Sequence, residues 1–237
     1  MKVLNFFYFE FSTYILIIGF AFIISFIVFY KISKQNYSKL DIIYIYVINI
    51  VGFAIGSKSM SLISNNTEIT IYNFINSGYS YLGGIICSIL VVILYCKRYK
   101  LDFINMLSNF IVVYPLIYSI SKIGCFMNGC CYGIININDI NYKIPLQLVD
   151  SIIMLILFLI LLVQFNKQKK LVISMFFCLF STVRFLEDYF RDTRNILIFN
   201  FTLEQIVCGI LLITNVIIII FRMYKKRNYR YNRATLK

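Results

Sequence analysis

The chain has 237 residues, 60% of them hydrophobic and only 14% charged, with a mean hydropathy of +0.81. Apolar runs recur along its whole length, which excludes a soluble globular domain. The net charge of +13, from 23 Lys and Arg against 10 Asp and Glu, has to be weighed against topology before any polyanionic partner is inferred.

Runs bounded by charges or polar loops predict seven spans, near Phe11–Tyr30, Leu40–Ser57, Ser80–Cys96, Phe103–Ser121, Leu148–Phe165, Leu171–Phe190 and Glu204–Phe221. Several uncharged cores fall short of the ~20 residues that a span needs, so their ends must include polar or charged residues. The first run follows a single lysine and lacks a small-x-small cleavage site after it, so it is read as a helix and not as a cleaved signal peptide. Seven spans put the termini on opposite faces. With the lysine-rich loops held inside, only Lys2, Lys58, Lys122, Lys143, Arg184, Arg191 and Arg194 of the 23 basic residues fall outside. The expected fold is therefore an all-α integral membrane protein of seven transmembrane helices, N-terminus outside and C-terminus cytoplasmic. Residues 1–224 form one polytopic membrane domain, and 225–237 a basic cytoplasmic tail suited to anionic membrane lipids, with no nucleic acid expected.

Along the chain, unusual residues first gather at the start of the third span, where Gly78, Gly83 and Gly84 flank Tyr81 and Leu82. Close helix packing accounts for part of this. The fourth span carries Pro115 and ends in Ser121–Gly133, where Lys122, Asn128 and three glycines sit together. Polar groups and glycines at membrane depth are costly unless they line a cavity, which makes this stretch the first candidate site. Gly124, Gly129 and Gly133 around Asn128 suggest a helix end opening into a loop whose free N–H groups face an anion. Cys125, Cys130 and Cys131 have a poor spacing for zinc in a chain with no histidine, so neither a metal nor a cofactor is expected. They read as small packing residues or as an outer-face disulfide.

The sixth span closes in Arg184–Asp192. At ~1.5 Å per residue Arg184 lies roughly 20 Å across the bilayer and Arg191 roughly 30 Å. On a continuous helix 184, 188 and 191 share a face, so Asp188 is expected to pair with both arginines. The same ruler brings Lys122 and Gly83-Gly84 to the outer half of the membrane, where cations and loop N–H groups suit a lipid phosphate.

These residues resemble the bacterial prolipoprotein diacylglyceryl transferases, in order from about Gly78 to Ile210. Gly78–Gly84 is similar to that family's G-M-S-F-H-G-G, and Ser121–Gly133 to G-R-x-G-N-F-x-N-G-E-x-x-G or to a branch that writes G-R-I-G-C-F-x-x-G-C-C-Y-G. Pro145–Asp150, with Gln147, resembles P-S-Q-L-Y-E. Arg184–Arg191 fits R-x-x-x-E-x-x-R, and Leu203–Ile206 resembles M-G-Q-I. The resemblance implies a seven-helix inner-membrane enzyme that moves the diacylglyceryl group of phosphatidylglycerol onto the lipobox cysteine thiol of a precursor protein, forming a thioether and releasing glycerol 1-phosphate. It implies that Arg184 holds the phosphate, Asn128 and Gly129 shape its pocket, and Asp188 and Arg191 orient that arrangement. Gly83, Gly84 and Gln147 join them as substrate-binding residues, with Lys122 and Tyr81 beside Arg184 as catalytic ones. Two departures from the pattern matter: Leu82 stands where the family has its motif histidine, and Lys122 where it has arginine, with Ser121 in place of the neighbouring glycine. A non-catalytic lipid- or peptide-binding relative is the alternative. A permease would spread polar residues through the membrane depth, whereas here they gather on one side.

Overall fold

The computed structural model describes residues 3–6, 9–137, 140–166, 169–191, 196–198 and 200–235. A hairpin of β1 (Val3–Phe6) and β2 (Phe9–Ser12) leads into α1 (Thr13–Ser33), α2 (Lys39–Ser64), the short α3 (Ile71–Asn76), α4 (Tyr81–Tyr99) and α5 (Phe103–Asn128). Next come a hairpin of β3 (Gly133–Ile137) and β4 (Ile140–Ile144), α6 (Leu146–Phe165), α7 (Lys169–Glu187) and one 3-10 turn (Asp188–Phe190). A last hairpin, β5 (Ile196–Ile198) with β6 (Phe201–Thr202), precedes α8 (Leu203–Thr235). Lys2, Asp192 and Arg194 lie outside the described residues.

Among the described residues, six helices are long and apolar enough to cross a membrane: α1, α2, α4, α5, α6 and the Leu203–Phe221 part of α8. At 19 residues α7 is as long as α4, but it carries Lys169, Lys170, Arg184 and Glu187. The bundle is all-helical as expected, and among the described residues three short two-stranded hairpins are added at the helix ends. They form where short apolar segments emerge from the helix ends and satisfy their backbone groups by pairing. Helix α8 runs on past Phe221 as one element, so the expected boundary at 224 falls inside it.

Local chemistry sets the ends. Ser38 and Asp102 accept hydrogen bonds from the N–H groups of Asp41 and Asn105, capping α2 and α5. Helix α2 outlasts its expected end at Ser57 because the Lys58 ammonium has a use there. It donates to the Phe74, Ile75 and Ser77 carbonyls at 3.1, 2.7 and 3.3 Å, closing the C-terminus of α3.

Helix α5 is the axis of the bundle, buried for most of its length and in contact with α1, α4, α6 and α7. A ladder of rings, Phe29 on Phe110 and Tyr114 on Phe176, ties three of these helices together. Helices α2 and α4 meet through glycine. A Cβ on Gly83 would strike the Met60 side chain and the Gly56 carbonyl, and one on Gly84 would lie 2.6 Å from the Phe53 ring. Long helices alternate in direction, so the starts of α1, α4, α6 and α8 meet the ends of α2, α5 and α7. Bonds such as Ser80 to Glu204 and Arg184 to Glu204 join them there, and all three hairpins lie at that same end.

Candidate active site

At this end lies a cavity of about 560 Å³. One wall is apolar, built from Ile15, Ile18 and Phe22 of α1 with Ile50 and Phe53 of α2. The other carries Tyr118, Lys122, Arg184, Arg191, Glu204 and three cysteines. A smaller cavity of about 150 Å³ adjoins it, sharing Arg191 and Glu204 and adding Asp188 and Thr202.

Arg184 is 7% exposed and held from three helices. Its Nη1 donates to the Tyr118 hydroxyl at 2.9 Å and to Glu187 at 3.2 Å, and its Nη2 to Glu204 Oε2 at 2.5 Å. Arg191 Nη1 reaches the same Glu204 oxygen at 3.1 Å. A buried arginine needs such partners, because an unpaired charge would cost several kcal/mol. Lys122 pairs with buried Asp150 at 2.5 Å, its ammonium 5.1 Å from the Tyr118 ring centroid. Three cations and one carboxylate therefore line the cavity, while Asp150 and Glu187 compensate from behind.

The expectation that Asp188 pairs with both arginines is corrected. Helix α7 ends at Glu187 and tightens into the 3-10 turn, so 184 and 188 no longer share a helical face. Asp188 pairs with Arg191 at 3.7 Å and accepts the Thr202 hydroxyl at 2.6 Å, while Arg184 takes Glu187 and Glu204 instead. The anion-facing loop is corrected too. Helix α5 continues to Asn128 and ends with Gly129 at φ +70°, and the N–H groups of Gly129 and Cys130 turn back onto the Phe126 and Cys125 carbonyls. A helix C-terminus presents carbonyls, so these two N–H groups are spent on capping.

Of the residues singled out by sequence, Tyr81, Lys122, Arg184 and Arg191 line the larger cavity and Asp188 the smaller. Tyr81 donates its hydroxyl to the Tyr114 carbonyl and sets its ring edge-on to Tyr118, with centroids 4.5 Å apart. Leu82 faces the hydrophobic core at 4% exposure. Gly83, Gly84, Asn128, Gly129 and Gln147 line neither cavity. Gly84 acts at one remove, since the space it leaves is filled by Phe53, a cavity wall. Gln147 donates to the Cys130 carbonyl and so holds the loop after α5. Sequence reasoning missed Tyr118, Asp150, Glu187 and Glu204. The signal was present, because the three carboxylates are among only ten in the chain and stand at helix ends.

Outside the helices, burial and the nearby Arg184 oppose the charge on Arg191, but Glu204, Tyr118 and Cys131 together lift its pKa above the ordinary guanidinium value. The Cys131 thiol is lowered by hydrogen bonds with Cys125 and Cys130, then by Lys122 and Arg191, against the opposing effect of burial.

Residues 2–221 match the family described as prolipoprotein diacylglyceryl transferase. The chain belongs to that family. Similar proteins named phosphatidylglycerol–prolipoprotein diacylglyceryl transferase occur in Clostridium tetani (30% identical over 105 residues), Chlorobaculum tepidum (25% over 168) and Finegoldia magna (27% over 231). These matches cover 43%, 64% and 90% of this chain. The chain spans 42% and 58% of the length of the first two relatives and 91% of the third. The prolipoprotein diacylglyceryl transferase match thus takes in α1 to α7, α8 as far as Phe221, and both cavities.

Proposed function

We propose that this chain moves the diacylglyceryl group of phosphatidylglycerol onto a lipobox cysteine thiol of a precursor protein, as a seven-span enzyme of the bacterial plasma membrane. Helix α7 is the seventh span. The N-terminus and the cavity lie on the outer side, and the basic end of α8 is cytoplasmic. The observation that carries this reading is a single cavity with an apolar wall for acyl chains and an excess of cations at the other wall.

Chemistry follows from that division. The lipid phosphate meets Arg184, Arg191 and Lys122, whose charge stabilises it as it leaves. Arg184 still has N–H groups beyond those given to Tyr118, Glu187 and Glu204, and its planar fork suits two phosphate oxygens. Asp188 holds Arg191 in place, and Gln147 with the Asn128-Gly129 turn holds the adjoining loop. Gly83 and Gly84 set the α2–α4 approach that forms the apolar wall. Tyr81 spends its hydroxyl hydrogen on Tyr114 and keeps an oxygen that can accept from the incoming thiol.

The test is Arg184→Lys. Charge remains but the fork is lost, so turnover should fall by ~10²–10³-fold, as for loss of a donor to developing negative charge, while the protein still accumulates. Normal turnover per molecule would overturn the assignment. Burial of Leu82, at the family's motif-histidine position, favours a second reading as a lipid-binding relative without turnover. Phosphatidylglycerol binding without transfer by the wild-type chain would select it.

A further inference from the structure

Cys125, Cys130 and Cys131 take no part in the phosphate chemistry, yet the fold assembles them. Their sulfur atoms lie within 4.8 Å of one another, and all three residues line the larger cavity beside Lys122 and Arg191. All are free thiols, Cys125 buried and the other two half-buried. The backbone between them is constrained. Gly129 at φ +70° is followed by Cys131 at φ +59°, a left-handed conformation that a non-glycine residue keeps only where its surroundings hold it. These two reversals fold the loop so that Cys130 and Cys131 meet Cys125 on the last turn of α5. Gln147 fixes the Cys130 carbonyl, and Gly133 bridges to Arg191. Their other polar contacts are few: Cys130 Sγ donates weakly to the Cys125 carbonyl at 3.5 Å, and the Tyr14 hydroxyl hydrogen-bonds Cys125.

Three thiolates around one zinc ion at ~2.3 Å stand roughly 3.8–4.0 Å apart, so the trio needs only a slight contraction to bind it. Soft thiolate donors select such an ion, and a site with three protein ligands leaves a fourth position open. Here that position opens on the cavity. Lys122 and Arg191 offset the negative charge of a zinc held by thiolates alone.

We propose that Cys125, Cys130 and Cys131 bind one zinc ion, and that its fourth position takes the incoming cysteine thiol. The identity of that thiol rests on the transferase reading. The chain has no histidine, and coordination supplies a thiolate without an imidazole base, because a metal-bound thiol is deprotonated outright. As its sulfur joins the zinc, the substrate thiol loses its proton to water. A sulfur lone pair then attacks the glyceryl carbon that bears the phosphate. The C–S bond forms as the C–O bond breaks, and the bonding pair leaves with the phosphate as glycerol phosphate against Arg184 and Arg191. The step needs no oxidant or reductant.

The full-length protein, purified in detergent with its thiols reduced and loaded with zinc chloride, should carry one zinc per chain by elemental mass spectrometry. That zinc should be lost in Cys130→Ser and in Cys131→Gly, which removes the thiol but suits the left-handed backbone, and kept in Cys87→Ser. With cobalt in place of zinc, a cysteine-bearing lipobox peptide should change the visible spectrum and its serine counterpart should not. Absence of zinc from folded, reduced wild-type protein overturns the site, and so does a disulfide within the trio that persists under reductant. A cobalt spectrum blind to the cysteine peptide overturns the open position. Transfer from phosphatidylglycerol is scored on the same preparations. Metal and peptide signals without transfer sink the transferase reading and leave the site standing. Transfer that persists in zinc-free Cys130→Ser sinks the role of the zinc and leaves the transferase reading standing.

Discussion

Replacing Glu204 with glutamine separates the two things that this carboxylate does. Its Oε2 accepts from Arg184 at 2.5 Å and from Arg191 at 3.1 Å, tying together the two guanidinium groups proposed to hold phosphate. Glutamine has nearly the same shape, and its one oxygen can still accept from both arginines while its NH₂ group turns toward the Ser80 hydroxyl, from which Oε1 now accepts. Both bonds lose their anionic acceptor, and each falls from a charge-assisted ~1.5–3 kcal/mol to a neutral ~0.5–1.5 kcal/mol. The Glu204 side chain is 19% exposed and Arg191 20%, so water softens the loss toward the lower end. The expected destabilisation is about 2 kcal/mol, or a fall in Tm of roughly 4–8 °C on the scaling for chains of this size. Binding should move the other way. Removing the one carboxylate among the cations that line the cavity adds a net positive charge a few ångströms from the phosphate. At solvent-like screening this is worth ~1 kcal/mol, which makes phosphatidylglycerol binding roughly fivefold tighter. Thermal unfolding in detergent reads the first effect, and titration with phosphatidylglycerol in mixed micelles reads the second, with phosphatidylcholine as control. If stability and phosphatidylglycerol affinity fall together, the guanidinium groups are not the phosphate's partners and the reasoning fails.

Gly83→Ala should reduce accumulation, because its Cβ meets the Met60 side chain and the Gly56 carbonyl; overpacking costs ~1–3 kcal/mol, of which alanine's helix propensity returns at most ~1 kcal/mol. Its KM for phosphatidylglycerol per folded molecule should be unchanged, and a large shift would place Gly83 in the binding site itself. Leu82→His should lower accumulation without raising transfer, since position 82 lies in the core and an unpartnered imidazole there costs ~1–3 kcal/mol; a gain in transfer would return the motif position to the site. A cysteine introduced at Asn65, at the cavity end of α2, should react with a membrane-impermeant maleimide in intact cells, above the background of the native thiols. Reaction only after lysis would invert the topology.

The helices were legible because each apolar run is long enough to bury its backbone only as a helix. Their ends were less so. Lys58 looked like a stop, yet its ammonium caps a helix that follows it in the chain. In the site, Arg184, Arg191 and Lys122 stood out because a cation within an apolar run has to be paired. Of their partners only Asp188, three residues before Arg191, was legible, since the i, i+4 rule that would also pair it with Arg184 holds only along one continuous helix. The turn after Glu187 breaks that rule for Asp188, while Glu204 lies 20 residues from Arg184 in sequence. The thiol cluster was hidden for a similar reason, because spacing rules for metal ligands do not anticipate two left-handed residues that reverse the chain.

The central claim is tested most directly by incubating the purified chain in vesicles with a lipobox peptide and following the peptide by mass spectrometry. Phosphatidylglycerol vesicles should add a diacylglyceryl group to the peptide's cysteine and release glycerol phosphate. Phosphatidylethanolamine vesicles, a serine peptide or Arg184→Lys should give none. A peptide left unmodified by folded wild-type protein that binds phosphatidylglycerol would contradict the account.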